Sequence, residues 1–405
     1  DFDGMVDVRV ISNKERVNSV RVRPLSYKIT PDCVGDTVTF SLSRPRNLSV
    51  EVNGDIFHNL HLFANPIDKF RPSDKEIQRA LKKKKGSNLI YFGPGVHNLP
   101  NDTLFVPSGT TVYIDGGARV YGNIFTEGAH DVNIFGRGEV HPDGRGAGVW
   151  VRRSKNVRID GIVVSQLPIG QCDSVELTNV KSISYYGWGD GMDVFSSSNV
   201  ILDGVFCRNS DDCAAVYAST QGFKGGSNNV LVKNATLWAD VAHPINIGGH
   251  GDPNGMDTVQ NVTFRNIDIL DQAEKQIDYQ GCLAINPGDN TLVRNITFEN
   301  IRIEDFRNGQ LVNFRISFNP KYCVSTGRGI QNVLVKDVTY NGSGENLSII
   351  AGYDENHKIS GIRFVNLVVN GRKITDDMPG KPKWYKTGDM AGIFVGEHVE
   401  NLSFE

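Results

Sequence analysis

One motif limits the fold of this chain more than any other feature: a polar residue followed by alternating β-branched positions, repeated over most of the length. It reads Asp131-Val132-Asn133-Ile134, Asn156-Val157-Arg158-Ile159, Asn199-Val200-Ile201-Leu202 and Asn229-Val230-Leu231-Val232, and it returns at Asn261, Asn295, Asn332 and Gly361. Short strand-like runs at a period between about 20 and 50 residues cannot bury an apolar face alone, so successive copies must stack as a solenoid. No helical segment or leucine-spaced consensus intervenes, which excludes ankyrin-like and leucine-rich arrays. The expected fold class is therefore all-β, a right-handed parallel β-helix, with its first turns at Ile90-Tyr91-Phe92 and Thr111-Val112-Tyr113-Ile114. A second polar residue follows five positions later in several copies (Asn234, Asn266, Asn300, Asp337), where side chains of neighbouring turns can hydrogen-bond as a ladder.

The chain before the repeat reads differently. Residues 1–66 alternate as short strands, at Val20-Arg23, Asp36-Leu42 and Leu48-Val52, with a hairpin signal at Asn53-Gly54-Asp55, and predict a small β-sandwich. Residues 67–87 form a linker with one short helix, opened by the capping box Ser73 and Glu76 and closed by the solvated run Lys82–Lys85. The β-helix domain then takes residues 88–405.

With 43 Lys and Arg against 46 acids, the formal charge of −3 carries no nucleic-acid footprint. No run of eighteen apolar residues occurs, and the start DFDGMVDVRV has no charged-then-apolar leader, so either a leader was removed before residue 1 or none existed; the expected location is secreted or periplasmic. The six cysteines (Cys33, Cys172, Cys207, Cys213, Cys282, Cys323) form no CxxC pair and are expected as small buried thiols. Eight Asn-x-Ser/Thr sequons, among them Asn234, Asn261 and Asn295, carry little weight because the repeat favours these residues anyway.

Aligning the central coils places chemistry in one column. Asp190-Gly191-Met192-Asp193-Val194, Asp212-Cys213-Ala214-Ala215-Val216, His243-Pro244-Ile245-Asn246-Ile247 and Gly281-Cys282-Leu283-Ala284-Ile285 share apolar residues two and four places after their first position. In-register neighbours lie about 4.8 Å apart. Asp190, Asp212 and His243 thus stack at the entry edge of one sheet with Asp211 beside them, while Asp193 and Asn246 face outward. Carboxylates this close raise at least one pKa, leaving one acid protonated and another ionised. Hydrolysis of a glycosidic bond needs that pair, an acid for the leaving oxygen and a carboxylate for water.

At these residues the sequence resembles the clan of inverting glycoside hydrolases that contains the polygalacturonases (family 28) and the dextranases and isopullulanases (family 49). The matching stretches are Gly189-Asp190-Gly191-Met192-Asp193, Asp211-Asp212-Cys213, and Ala242-His243-Pro244 with Gly248, within residues 88–370. The resemblance implies that Asp211 is the general acid, that Asp190 and Asp212 activate water with inversion, and that His243 orients or tunes the acid. It also implies carboxylates closer together than the usual roughly 6.5–9.5 Å of inverting enzymes. Two departures stand out. The polygalacturonase RxK slot holds Ala284-Ile285-Asn286, with Arg315-Ile316-Ser317 one coil later as a partial substitute. The β-rich N-terminal domain and the stretch from Thr236-Leu237-Trp238 to Gly248 look more like the dextranase side.

The expected substrate-binding residues are Asp193, Trp188, Tyr217, Asn246, Asn286 and Arg315, the aromatics because they stack on pyranose faces or pack between coils. Tyr185 and Tyr186 precede Asp190 in the same way, and Gly248-Gly249-His250-Gly251-Asp252 reads as a loop on the groove rim. The partner is a poly- or oligosaccharide, met by a monomer with no cofactor and no metal. The competing readings are a polysaccharide lyase, which needs a cation site and a basic residue, and a non-catalytic carbohydrate-binding solenoid.

Overall fold

The computed structural model describes residues 1–82, 86–343 and 345–405, which fall into two compact units, Asp1–Arg71 and Pro72–Glu405. In the first unit, strands Val6–Ile11, Thr37–Leu42 and Asp32–Val34 form one antiparallel sheet, and Val20–Arg23, Arg46–Val52 and Leu60–Ala64 form another. Alternation along Thr37–Leu42 turns Val38, Phe40 and Leu42 inward, where they share one core with Val22, Leu48 and Val50. The expected hairpin exists, but its loop is longer than a two-residue turn because Val50 pairs with Leu60. Asn53 does adopt positive φ (54°), and its carboxamide oxygen is drawn away to accept from the backbone of Asn18 and Ser19 at 2.8 and 3.1 Å.

The second unit opens with helix Asp74–Leu81, capped by Ser73 and Glu76 in the reciprocal box the sequence predicts. Lys83, Lys84 and Lys85 of the basic run lie outside the described residues. Among the described residues, twenty-nine strands of this unit then belong to one hydrogen-bonded system, the β-helix, parallel throughout except where Arg372–Ile374 pairs antiparallel with Ile359–Val369. On its first face, Val175, Val200, Val230, Val262, Ile296 and Val333 stand in direct register, and none is more than 1% exposed. Each such residue contributes about 1.5–3 kcal/mol by leaving water.

The Asn positions are the corners. Asn199, Asn229, Asn261, Asn295 and Asn332 all take φ between 55° and 56°, a left-handed turn that Asn tolerates better than other side-chain-bearing residues. Their amides donate from one coil to the last, Asn229 to Asn199 at 2.7 Å and Asn295 to Asn261 at 3.1 Å. The second corner repeats the device: Asn234 donates to Asp203 and Asn266 to Asn234, both at 2.7 Å. The sequons at Asn234, Asn261 and Asn295 thus spend their amides on the ladder. Five cysteines are buried and free, but Cys33 is exposed, contrary to expectation, because it sits on the fully exposed strand Asp32–Val34.

Candidate active site

The site lies on another face of the β-helix, formed by strands Val194–Phe195, Ala214–Tyr217, Ile245–Ile247 and Leu283–Ile285. Val194, Val216, Ile247 and Ile285 stack in register, as the sequence alignment requires, so the residues preceding them stack as well. The corners are pinned by backbone bonds between successive coils: Gly191 N to Asp212 O at 2.8 Å and Cys213 N to His243 O at 2.9 Å. Gly191 must be glycine, since a Cβ there would meet the Cys213 carbonyl oxygen at 2.2 Å. The fully buried Asn209 reinforces the corner, its amide donating to Ser182 and Ser184 at 3.0 Å and to the Asp190 carbonyl at 3.1 Å.

Asp190, Asp211 and Asp212 converge, with one carboxylate oxygen from each lying within 4.8 Å of the others. Their surroundings differ sharply. Asp212 Oδ1 accepts from His243 Nδ1 at 2.7 Å and from the His243 backbone at 3.1 Å. Its Oδ2 accepts from Tyr217 Oη at 2.5 Å and Asn246 Nδ2 at 2.8 Å. Burial alone would raise this carboxyl, but the His243 charge and these donors outweigh it and hold it down at about 2. Asp211 has no such support: burial, then the Asp212 and Asp190 charges, push it up to about 8. Burial and Asp212 likewise raise Asp190 to about 7. Asp193, buried on the same strand edge, is driven well above the carboxylate range by burial and by its three acidic neighbours. One anion, Asp212, therefore lies within a few ångströms of two acids that burial favours in the neutral form, Asp211 and Asp193, and of Asp190, which changes its charge near neutrality.

These groups open into a cavity of about 330 Å³. Of the residues expected from sequence, Asp190, Asp193, Asp211, Asp212, His243 and Asn246 all line it. Trp188, 69% exposed, stands at its mouth in a left-handed backbone turn (φ 57°). Tyr217 lines the cavity too, yet it is buried, stacked on Phe195 at 5.8 Å and bonded to Asp212, so it braces the anion as much as it offers a sugar face. Asn286 contributes to the lining while its amide donates to Asn313 Oδ1 at 3.1 Å. Arg315 is not brought to the lining; it pairs with Asp278 at 2.6 Å, and Asp278 faces the cavity instead. Tyr185 is 86% exposed, whereas Tyr186 is buried and donates to the Gly146 carbonyl at 2.6 Å. Trp238 is sealed in the structure beneath Arg208, 4.0 Å away.

Three aromatic groups in the wall escaped the sequence reading as individual site residues. Tyr279 and Tyr322 meet edge to face at 5.6 Å, and His250 meets Tyr322 at 6.2 Å and Tyr217 at 5.1 Å. They come from insertions between coils, where the repeat falls silent; the only signal was the glycine-rich rim containing His250.

Comparison with known proteins bears on the family and the fold. Polygalacturonase of Juniperus ashei is 26% identical over 295 residues, covering 64% of this chain and 54% of its own length. Probable endopolygalacturonase D of Emericella nidulans is 26% identical over 311 residues, covering 68% and 55%. The chain thus spans about half the length of the curated relatives it matches. Among solved structures, the family 28 exopolygalacturonase of Yersinia enterocolitica superposes with a TM-score of 0.57 at 13% identity, over 90% of this chain and 85% of that one. Dex49A from Penicillium minioluteum gives 0.66 at 14% identity, over 99% and 82%, and both likenesses bear on the fold. The family model described as glycosyl hydrolases family 28 matches residues 149–378, which contain every carboxylate of the site and more than half of the chain. By that match, seated on the coils that carry the acid column, the chain belongs to family 28 of the glycosyl hydrolases.

Proposed function

We propose that this protein hydrolyses O-glycosidic bonds of an α-linked polysaccharide with inversion at the anomeric carbon. The observation that carries the reading is the division of ionisation within one cluster: Asp212 anionic, Asp211 kept neutral beside it. Asp211 donates its proton to the glycosidic oxygen as the bond to the anomeric carbon breaks. A water held by Asp190 and Asp212 adds to that carbon and gives up its proton, and Asp190, poised near 7, is matched to take it. His243 keeps Asp212 charged.

Carboxylate oxygens within 4.8 Å are closer than in most inverting enzymes, so separation does not argue for inversion here. What favours it is that both oxygens of the anion are already engaged by His243, Tyr217 and Asn246, which suits orienting water better than attacking carbon. The similarity to polygalacturonases supports a glycan substrate. A polysaccharide substrate is in turn met outside the cytoplasm, in keeping with a secreted or periplasmic monomer.

The test is incubation with dextran, polygalacturonate, rhamnogalacturonan and other α-linked glycans. Hydrolysis yields reducing ends without ultraviolet-absorbing unsaturated ends, with the first product in the anomeric form opposite to the substrate's by proton NMR. Asp211→Asn is expected to lower kcat by about 10²–10⁴-fold while the fold persists. Unsaturated ends would establish elimination, no product at all would leave a binding solenoid, and an Asp211→Asn variant with most of its activity would remove Asp211 from its role.

A further inference from the structure

We infer that the catalytic groove takes a neutral glycan and discriminates against a polyuronate. This rests on the glycosidase reading above and adds to it the charge class of the sugar.

No Lys or Arg occurs among the described residues that line the cavity, whereas five carboxyl groups do: Asp190, Asp193, Asp211, Asp212 and Asp278. The two positions where a cation could have met a uronate are both neutralised. Asn286 offers an amide already donating to Asn313, and Arg315, aligned with it on the next coil, has its guanidinium against Asp278 at 2.6 Å. Lys321, though within electrostatic reach of Asp211, lies outside the lining with its ammonium over the rings of Tyr279 and Tyr322, at 5.2 and 4.9 Å. A carboxylate entering the groove would sit beside the Asp212 anion, whose cationic partner His243 is already committed to it, with no Lys or Arg of the described lining to receive the new charge, in a cavity where low dielectric strengthens repulsion.

What the groove does offer is suited to uncharged pyranose rings. Trp188, Tyr279 and Tyr322 present apolar faces and edges for the C–H face of a sugar. Deeper in, His243 Nε2, Asn246 Oδ1 and Asp193 Oδ1 are buried polar atoms of the lining without a protein partner, on residues 3%, 8% and 5% exposed. A buried donor or acceptor left open at a cavity is satisfied by a ligand group or water, and sugar hydroxyls serve as either donor or acceptor.

The test compares one backbone with its charge on and off. Asp211→Asn, whose side chain copies the neutral acid, is titrated at pH 6 and low salt with galacturonan oligomers, with the same oligomers fully methyl-esterified, and with neutral α-glucan oligomers. Asp190→Asn serves for the same comparison should the first variant not fold. Neutral oligomers are expected to bind, and the methyl ester to bind at least about tenfold more tightly than the acid form, with the gap narrowing as salt screens the groove. Adding Asp278→Asn, which releases Arg315, is expected to close the gap severalfold. An acid form that binds as well as its ester, or neutral oligomers that do not bind, overturns the inference. Wild-type protein that binds neutral oligomers but releases no reducing ends discards hydrolysis and leaves the charge preference standing.

Discussion

All three central acids are penalised by burial, and only Asp212 has donors enough to overcome it. In the proposed mechanism the chemistry therefore rests on a residue that touches no leaving group. His243 holds Asp212 through its Nδ1 at 2.7 Å, and a positioning role of this kind leaves a signature in the pH profile. A carboxyl depressed to about 2 is ionised above that value and loses its charge as pH falls through it. Asp211, raised to about 8, is protonated below that value and loses its proton as pH rises through it. In His243→Ala the Asp212 carboxyl keeps its burial but loses its cation, so its pKa rises. Because the proposed mechanism needs both Asp190 and Asp212 ionised, and the loss of the cation makes that doubly charged state harder to reach, the acid limb of kcat/KM is expected to move up by about one unit or more, corresponding to about 1.4 kcal/mol of lost preference for the anionic pair. The alkaline limb, set by Asp211, should shift far less. A variant whose rate falls equally at every pH would show that His243 only shapes the fold.

At the scale of the element, each coil is held by an apolar stack inside and an Asn corner outside, and the corner has two separable parts. Asn234 takes φ 54°, donates to Asp203 and accepts from Asn266, both at 2.7 Å. Asn234→Gly keeps the easy left-handed backbone and gives up two exposed hydrogen bonds, at about 0.5–1.5 kcal/mol each. Asn234→Ala loses the bonds and also pays about 1 kcal/mol or more for a Cβ in that turn. Denaturant titration should thus rank wild type above Gly above Ala, and an Ala variant as stable as Gly would mean that the ladder alone matters. The same division explains what could be read from sequence. Corner and stack recur, so Val200, Val230 and Val262 announce their own register, and Asp190, Asp212 and His243 follow from it. Tyr279 and Tyr322 sit in segments that answer to no period, and their place in the wall is set by tertiary packing alone. Asn209 was visible beside the paired acids, but its bonds run inward to Ser182 and Ser184, a direction that spacing does not give.

A stack of parallel strands is stable only if its ends are closed, because a terminal coil presents an unpaired edge to other chains. Strand Leu89–Phe92 pairs with Thr111–Ile114 and is the first rung described, which leaves its other edge to be covered. Helix Asp74–Leu81 packs on that strand. Its single buried residue, Ile77, is 7% exposed, and its capping box fixes where the helix begins. The polar remainder of the helix faces outward, as a capping element requires. Ile77→Asp keeps the capping box but removes the helix's one apolar anchor and asks it to bury a charge. The loss of burial alone is about 1.5–3 kcal/mol. If the helix guards the edge, the variant should do more than melt earlier: it should self-associate with rising concentration, visible by size exclusion with light scattering, while Ile77→Val stays close to wild type. A variant that is destabilised yet monomeric at every concentration would place the protection of the first coil elsewhere, because an uncovered parallel edge cannot distinguish its own next coil from a strand of another chain.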